Sequence, residues 1–554
     1  MIKCKHFGQK ITINHCFKKL RGKGAKMFYF VPSWYGNNLS FDDTVNQIKM
    51  FQSAGEDVEL IVPNYITNLQ HFLHQQDLSG VNLWRAFDDI QNTQHVGRRV
   101  LNFEDLQWPK EAEFIYTPFY ILVLVDNQKY AQINFGETAY LSEITYFKAG
   151  VISHNLRFDS RGFVSSLTYY QGGEKSITEY FDRSGVWQIR HDEHTQSVTV
   201  NPDIQSRFLR SHYDSLQELV SERLTQYFGQ RKQIQQGILI MAADPQNQTL
   251  IFDLPVKPER IVTSFFEPRN GPDWQLATFE QAIFQSKMVI LDSEEKRQTL
   301  VKQITEDFNL SQQATLIDKM HHLSPYDARL ELGTSQRYKK LYVLVILNQL
   351  DASAQTQMID EIIAYVRQKP TVQVNFSTAD DNQKAQATYV FEQKLANQFD
   401  LTIEEVQQLR QVDEKKDENK LDEASTQVDE TEQLVKRLLG QVTFQTFNSE
   451  DALIREFRRT RLLVDLSLRP EILTQIAGIS AGIPQINQVV TPYVLHQKNG
   501  LIIHNMTALS EALDYYLVGL SHWNEALVHS VQQIQKYNDG AIVKQWQAIL
   551  KEVE

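Results

Sequence analysis

The chain has 554 residues, 42% of them hydrophobic, with 56 Lys and Arg against 68 Asp and Glu and a formal net charge of −12. This length is too great for one hydrophobic core and predicts two or three folding units. The mean hydropathy is −0.40 and no run of eighteen apolar residues occurs, which excludes a membrane-spanning helix, and the acidic balance argues against broad nucleic-acid binding.

The first 26 residues differ from the rest of the chain. They contain eight Lys or Arg and no Asp or Glu, and they stop where the hydrophobic run at Met27 begins. No apolar stretch of about 7–15 residues follows the basic start, so a signal peptide is not predicted. We expect residues 1–26 to be a disordered basic extension, with a lipid-contacting arm as the alternative. Both cysteines, Cys4 and Cys16, lie here, which suits a cytoplasmic protein without disulfides.

From Met27 the pattern predicts a strand, a loop, a helix and a strand, over FYFVPSW, GNNLS, FDDTVNQIKMFQSAG and EDVELIVPN. This order is typical of a parallel, doubly wound sheet, so we assign residues 27–100 to a Rossmann-like domain. Between about Glu113 and Val200 short alternating strands separated by turn sequences predict an antiparallel meander. We therefore expect an extended β-sheet domain at 101–201, inserted in the first domain, which continues over 202–335.

A second alternating pattern begins with the strand LYVLVIL at Leu341–Leu347. It predicts a second Rossmann-type domain over 336–520. Within it, residues 412–432 are nearly all charged or polar. We expect a solvated loop because they offer little apolar surface to bury, with a regulatory role as the alternative. Two amphipathic helices close the chain at 521–554, and we expect them to pack back on the first domain.

The segment Arg461–Ile503 resembles the donor-site region of GT-B glycosyltransferases, since it keeps Gly482-Ile483-Pro484 and the turn Asn499-Gly500. In active retaining members of that group, two glutamates eight positions apart contact the donor sugar and the ribose. The resemblance puts Arg469 and Ala477 at those two positions, so both carboxylates are missing. Glu471 lies nearby, but a shift of two residues on a helix turns a side chain by roughly half a circle.

The loop after the first strand of the second domain carries the other departure. The resemblance implies an Arg and a Lys there, which would stabilise the departing diphosphate. Here the loop is Asn348–Ala354, with no cation and one acid, Asp351. The sequence therefore predicts a degenerate donor site, no cofactor and no catalysis. The alternative is an active GT-B glycosyltransferase that uses unconventional donor-site residues.

Other candidate sites are weaker. The sequence Gly478–Gly482 has the G-x-S-x-G form of a hydrolase nucleophile elbow, but it falls late in a predicted helix instead of a strand-to-helix turn. Arg455, Arg458 and Arg459 form a basic cluster, interpreted as a solvated helix face or as a contact for anionic lipid or an acidic partner. Three histidine pairs lack the further ligands that a metal site needs, and no metal is predicted; they are His71 and His74, His191 and His194, and His321 and His322.

The opening MFYFVPSWYGNNLSFDDTVNQIKMFQSAGEDVELIVPNY and the later LQHFLHQQDLSGVNLWRAFDDIQN resemble the accessory secretory protein family of Gram-positive accessory Sec systems, specifically its first member. The resemblance extends from Met27 to the C-terminus. The inserted β-sheet, with FDSRGFVSSLTYY and YFDRSGVWQIR, resembles the extended β-sheet domain of the glycosyltransferases that modify the exported adhesins.

The resemblance implies a non-catalytic component needed to export glycosylated serine-rich-repeat adhesins. Its implied partners are an acetyltransferase-like and a carbohydrate-binding-module-like accessory secretory protein, the accessory SecA ATPase and the adhesin itself. We expect a cytoplasmic protein, with peripheral contact to anionic lipid at the inner face of the membrane as a further expectation. Trp34 and Tyr35 are candidates for a glycan or peptide cleft, because aromatic faces suit sugar rings. A scaffold without glycan contact is the remaining alternative.

Overall fold

The computed structural model describes residues 27–551, except for 37–38, 40–41, 95–96, 98, 137–138, 232–233, 235, 272–273, 329–333, 417–429 and 448–449. The described residues form two compact units. The first runs to Pro325 and resumes at Val543, and the second is Tyr326–Ile542. The predicted extension at 1–26 lies outside the described residues.

The first unit begins with β1 (Met27–Val31), α1 (Asp43–Ser53), β2 (Asp57–Val62), α2 (Leu69–Gln75), β3 (Asn82–Arg85) and α3 (Ala86–Gln91). Helix α1 starts at Asp42, whose carboxylate accepts a hydrogen bond from the backbone N–H of Val45 at 3.3 Å. Phe51 on its inner face lies edge-on to Phe28, with ring centroids 4.6 Å apart. The aromatic residues of β1 therefore fix α1 on the sheet.

The inserted domain is an antiparallel sheet of ten strands, paired in sequence order from β4 to β13. After a short 3₁₀ helix (Phe103–Asp105), they are β4 (Glu113–Tyr116), β5 (Tyr120–Val125), β6 (Gln128–Phe135), β7 (Leu141–Lys148), β8 (Val151–Asp159), β9 (Phe163–Gln171), β10 (Glu174–Phe181), β11 (Trp187–Asp192), β12 (Val198–Val200) and β13 (His212–Tyr213). The sheet thus continues past residue 201. Buried Arg161 joins it to α3 through ion pairs to Asp88 at 2.7 Å and Asp159 at 2.8 Å.

The chain then returns to the first sheet. The 3₁₀ helix Pro202–Arg207 lies just before β13. After β13 the elements are α4 (Leu216–Gln230), β14 (Ile238–Ala242), α5 (Pro245–Phe252), β15 (Arg260–Phe265), α6 (Glu267–Asn270), the 3₁₀ helix Leu276–Phe279, α7 (Glu280–Gln285), β16 (Met288–Leu291), α8 (Glu294–Asp307), α9 (Leu310–Asp318) and β17 (Met320–His322). The resulting parallel sheet has seven strands in the order β17-β16-β15-β14-β1-β2-β3.

The second unit contains a parallel sheet of six strands in the order β20-β19-β18-β21-β22-β23. After the 3₁₀ helix Thr334–Arg337, its elements are β18 (Leu341–Ile346), α10 (Ala352–Gln368), β19 (Val372–Thr378), α11 (Asp381–Phe399), α12 (Ile403–Lys416), α13 (Glu430–Gln441), β20 (Val442–Thr446), α14 (Glu450–Phe457), β21 (Thr460–Asp465), α15 (Ile472–Ala481), β22 (Gln485–Asn487) and β23 (Gly500–Ile502). The last elements are the 3₁₀ helix Met506–Ala508, α16 (Leu509–Leu517), α17 (Ser521–Tyr537) and α18 (Asp539–Lys551). The predicted α/β class with an inserted antiparallel sheet is confirmed.

The observed units differ from the predicted domain limits in three details. Helix α17 belongs to the second unit, because Trp523 is 2% exposed among the apolar residues of β18 and β21 and its indole N–H donates to the Arg461 carbonyl at 2.9 Å. Packing on the first unit begins only at Val543 in α18, where Trp546 meets Phe51. The second unit starts at Tyr326 instead of 336.

Helices extend into both ends of the segment predicted as a loop at 412–432. Its first residues, to Lys416, extend α12, and its last residues, from Glu430, begin α13. Residues 417–429 lie outside the described part of the chain. Within the described part, none of the helices has the length and apolar character that a membrane span requires.

Candidate functional site

The loop after β18 closes the N-terminus of α10. The Asp351 carboxylate caps this helix by accepting from the backbone N–H of Ala354 at 2.8 Å, and Gln355 donates its side-chain N–H to the Leu350 carbonyl at 2.7 Å. A helix N-terminus commonly binds phosphate through free amides and the helix dipole. Here a carboxylate already occupies that position, so a diphosphate would meet negative charge.

Asn348 lies in the same loop, where the family resemblance implies a cation. Its Oδ1 atom is buried and has no hydrogen-bond partner among the described residues. The side chain of asparagine is a neutral amide, which carries no charge to set against a phosphate. The loop after β18 therefore contributes no positive charge.

Arg469 and Ala477 occupy very different surroundings. Arg469 is exposed in the loop between β21 and α15. Ala477 is half-buried on α15 and packs against an apolar cluster that includes Leu344 of β18 and Trp523 of α17. A carboxylate at position 477 would have to leave water for that cluster, which is unfavourable. Neither position supplies the acid that an active donor site uses.

Two acids do lie close to the predicted site. Asp465 ends β21, and its Oδ1 accepts from the Ser467 hydroxyl at 2.6 Å and from the Ser467 backbone N–H at 3.1 Å. Burial raises the pKa of Asp465, and burial together with the Asp465 charge raises the pKa of Glu471. The other oxygen of Asp465 is buried and unpartnered among the described residues, as are both polar side-chain atoms of its register neighbour Asn487 on β22.

Asp465 and Glu471 were not predicted as a site. Its sequence signal is an acid at the carboxyl end of a buried strand, where ligand sites of parallel sheets are found. Asp465 is buried and Glu471 is half-buried, and the pKa values of both are raised, so they form a polar patch that supplies no positive charge to a diphosphate.

In the first unit, Trp34 and Tyr35 follow β1. The Trp34 ring is 3% exposed, packs edge-on against Phe72 at 5.0 Å and donates its indole N–H to Asp42 at 3.1 Å. The prediction that Trp34 lines a glycan cleft is therefore wrong, because no face of its ring is open. Tyr35 is 37% exposed and donates its hydroxyl to Asp244, which leaves part of its ring open.

A buried charge network that sequence reasoning missed lies beside Trp34. Arg269 donates to Asp43 at 2.5 Å and lies 3.5 Å from Asp42. Its guanidinium also donates to the carbonyls of Ser264 at 2.7 Å and Ala243 at 3.2 Å. Burial and the neighbouring Asp43 raise the pKa of Asp42 to about 7.

A further carboxyl group, Asp292, follows β16 and is also buried. It accepts from the backbone N–H of Glu267 at 2.6 Å, and burial raises its pKa to about 7. Arg269 is held by two carboxylates and two carbonyls, so its donors are largely used within the protein. The arrangement ties the loop after β1 to the loop after β15, and we interpret it as structural.

Two further sequence candidates have clear positions. Ser480 lies in the last turn of α15, where its hydroxyl donates to the Ile476 carbonyl at 2.9 Å, and Gly482 ends the helix with φ of +69°. This setting is a helix C-cap and not a nucleophile elbow. In the basic cluster, Arg455 and Arg458 are exposed, while Arg459 pairs with Glu456 at 2.7 Å.

Comparisons with known proteins found similarity over nearly the full length. The family model for the first accessory Sec system protein, accessory secretory protein 1, matches residues 27–553. The corresponding accessory Sec system protein of Streptococcus gordonii is 32% identical over 547 residues, which cover 95% of this chain and 99% of that protein. A crystal structure of accessory secretory proteins 1, 2 and 3 of Streptococcus pneumoniae is similar over 95% of this chain and 99% of the matched chain, with 28% identity and a TM-score of 0.74.

The fold is also similar to a solved glycosyltransferase. The pneumococcal O-GlcNAc transferase GtfA, solved with UDP and GlcNAc, matches with a TM-score of 0.66 over 96% of this chain and 99% of that chain. The sequence identity is 11%, so this likeness concerns the fold alone. It confirms the predicted GT-B-like architecture.

Proposed function

The chain belongs to the accessory secretory protein 1 family of the accessory Sec system, and from this premise we propose that it is a non-catalytic, glycosyltransferase-like component of that system. In this proposal it is required for the export of glycosylated serine-rich-repeat adhesins. The role in the accessory Sec system follows from the family match over nearly the full length. The absence of catalysis and the nature of the cargo are the parts that need testing.

The observation that carries the non-catalytic proposal is the capped N-terminus of α10. Asp351 occupies the position from which a helix would bind the donor diphosphate. Removing one oriented donor from a charge-stabilising site costs about 3–4 kcal/mol of transition-state stabilisation. The loop lacks cations that would stabilise the charge of the departing diphosphate, and the Asp351 carboxylate would repel that charge. Both differences therefore weaken transition-state stabilisation.

The proposed partners follow from the solved relatives. The Streptococcus pneumoniae structure contains accessory secretory proteins 1, 2 and 3, and we propose that this chain assembles with the corresponding second and third proteins. The accessory SecA ATPase and the glycosylated adhesin complete the proposed set of partners. Co-purification of the second and third proteins with a tagged form of this chain tests the assembly, and recovery of the chain alone would contradict it.

Donor binding is tested by calorimetry of the purified chain with UDP-GlcNAc and UDP-glucose, with the pneumococcal GtfA as the positive control. We expect no heat of binding at micromolar concentrations and no release of UDP. Micromolar binding with measurable hydrolysis would contradict the non-catalytic proposal.

Adhesin export is tested in a deletion strain complemented with the wild-type gene. We expect the adhesin to be made and glycosylated inside the cell but missing from the surface, while other secreted proteins are unaffected. Surface display equal to that of the complemented strain would contradict the proposed role.

A second candidate function, an active glycosyltransferase, is favoured by one observation. Glu471 is half-buried, and burial together with the Asp465 charge raises its pKa, as expected for a carboxyl group in a catalytic setting. The variant Glu471→Gln separates the candidates, because it would abolish any transferase activity but should leave adhesin export unchanged. Loss of both would favour the enzyme.

Tyr35 remains the residue proposed for glycan or peptide contact. Part of its ring is exposed, and a sugar could stack on it. We expect Tyr35→Phe to retain weak binding of a glycosylated serine-rich peptide and Tyr35→Ala to lose it, as measured by fluorescence anisotropy. Equal binding by both variants would point to the scaffold alternative.

A further inference from the structure

Strand β20 forms one edge of the second unit's sheet. It pairs with β19 from Val442 to Thr446, and no other strand of the described chain pairs with it. Thr443 is exposed, and Gln445 and Thr446 are half-buried. The outer side of β20 therefore presents backbone N–H and C=O groups that a further strand could pair with.

Helices pack on both faces of the sheet next to this edge. On one face, Phe391 of α11 lies against Phe444 of β20, with ring centroids 5.8 Å apart. On the other face, Leu453 and Phe457 of α14 pack in the cluster that contains Leu344 of β18. A groove lined by both helices can therefore form at the carboxyl end of β20.

Such a groove is present, with a volume of about 460 Å³. Its lining combines α11, the end of β20 and α14, as Lys384, Gln445, Thr446, Phe447, Ala452, Arg455, Glu456 and Arg459. A second depression of about 500 Å³ shares Lys384 and continues along α11 to Tyr389 and Gln407. The second depression lies on α11 and α12, includes the acids Asp381 and Glu392 and has no β20 residue in its lining, so only the first groove adjoins the strand, at its carboxyl end.

The groove carries positive charge that no acid among the described residues pairs with. Lys384 and Arg455 have no ion-pair partner in the described part of the chain, whereas Arg459 is neutralised by Glu456 at 2.7 Å and stacks over the Tyr342 ring at 5.0 Å. The whole chain has a formal net charge of −12. The two cations therefore lie in the groove at the carboxyl end of β20.

We propose that the outer edge of β20, together with the groove that holds Lys384 and Arg455 at its carboxyl end, is a docking site for an extended acidic segment of a partner polypeptide, which adds a strand to the six-stranded sheet. Main-chain hydrogen bonds along the edge would supply affinity, and the two cations would select acidic side chains. The proposal rests on the groove geometry and is independent of the proposed function.

An anionic membrane is the less favoured occupant. Lipid recognition by surface cations uses clusters of about four to eight Lys or Arg, each contributing about 1 kcal/mol. The groove has two without an ion-pair partner among its described residues. Lipid head groups also have no use for an open strand edge, whereas a peptide in β conformation pairs with it.

The test uses the full chain and a fluorescent peptide of about twelve residues in which valine and glutamate alternate. A second peptide has the same charge but carries proline in place of alternate valines, which removes backbone donors and prevents pairing. We expect the first peptide to bind, with affinity falling as salt increases. The proline peptide should bind at least about tenfold more weakly.

Matched charge reversals locate the site. The double variant Lys384→Glu with Arg455→Glu should weaken peptide binding at least about tenfold. The control, Lys148→Glu with Lys302→Glu, reverses two exposed lysines of the first unit and should leave binding nearly unchanged. Equal losses in both variants would overturn the proposal, because they would indicate a response to net charge alone.

Hydrogen exchange gives a readout of strand addition itself. Bound peptide should slow amide exchange within Thr443–Thr446, since new main-chain hydrogen bonds protect edge amides. The proposal is overturned if these amides are unprotected. It is also overturned if the proline peptide binds as well as the first, or if vesicles containing phosphatidylserine displace the peptide and bind with equal dependence on Lys384 and Arg455.

Discussion

Arg269→Ala should strongly destabilise the first unit. The guanidinium lies between Asp42 and Asp43 and donates to two backbone carbonyls. The Asp43 side chain is 1% exposed and the Asp42 side chain 9%, so water cannot replace the lost contacts. Removing one partner of a buried ion pair costs about 3–5 kcal/mol, because the remaining charge is left uncompensated.

The matched control is Arg297→Ala. Arg297 pairs with Glu294 at 2.7 Å, but the two side chains are 30% and 31% exposed, and exposed pairs contribute at most about 1 kcal/mol. The comparison therefore holds the type of interaction constant and changes burial. We expect the control to cost under about 1 kcal/mol.

Urea unfolding followed by tryptophan fluorescence measures both variants, and hydrogen exchange assigns the change to β1, β14 and β15 of the first unit. The cost of Arg269→Ala should be smaller at about pH 5 than at about pH 7.5, because protonation of Asp42, whose pKa is raised to about 7, removes one of the charges left uncompensated. A cost as small as that of Arg297→Ala, or a cost that does not change with pH, would refute the reasoning.

Buried contacts elsewhere in the chain give three more expected outcomes. Burial raises the pKa of Asp292 to about 7, so its contribution to stability is present at low pH and lost as the pH rises through about 7. The free energy of unfolding should therefore increase when the pH is lowered from about 7.5 to about 5, and Asp292→Asn should reduce this increase. Trp546 is 1% exposed and contacts Phe51, so Trp546→Ala should cost about 3–5 kcal/mol in urea unfolding. Ala477→Glu should lower the melting temperature, because it places a carboxylate against an apolar cluster, and calorimetry should still detect no UDP-GlcNAc binding.

The local patterns in the sequence are sufficient to predict the fold class. Strands such as Leu341–Ile346 and Ile238–Ala242 are short apolar runs bounded by polar turns, and the period changes visibly where the antiparallel insertion begins. The departures at Arg469, Ala477 and the Asn348 loop are predicted by counting positions against the GT-B pattern that the sequence resembles. Each of these inferences depends on residues close to one another along the chain.

The charge network and the position of α17 could not be predicted in this way. Arg269 meets Asp43 across 226 positions of sequence, and no local pattern indicates which buried acid a distant arginine will reach. An amphipathic helix shows that it has an apolar face but not which surface will cover it, so the assignment of α17 to the first domain is wrong. Trp34 likewise has the same sequence signal whether its ring is open or packed against Phe72. Periodicity determined the elements, and the family resemblance predicted the missing donor-site charges. Side-chain partners and burial were decided only by the tertiary structure, because they depend on contacts between residues far apart in the chain.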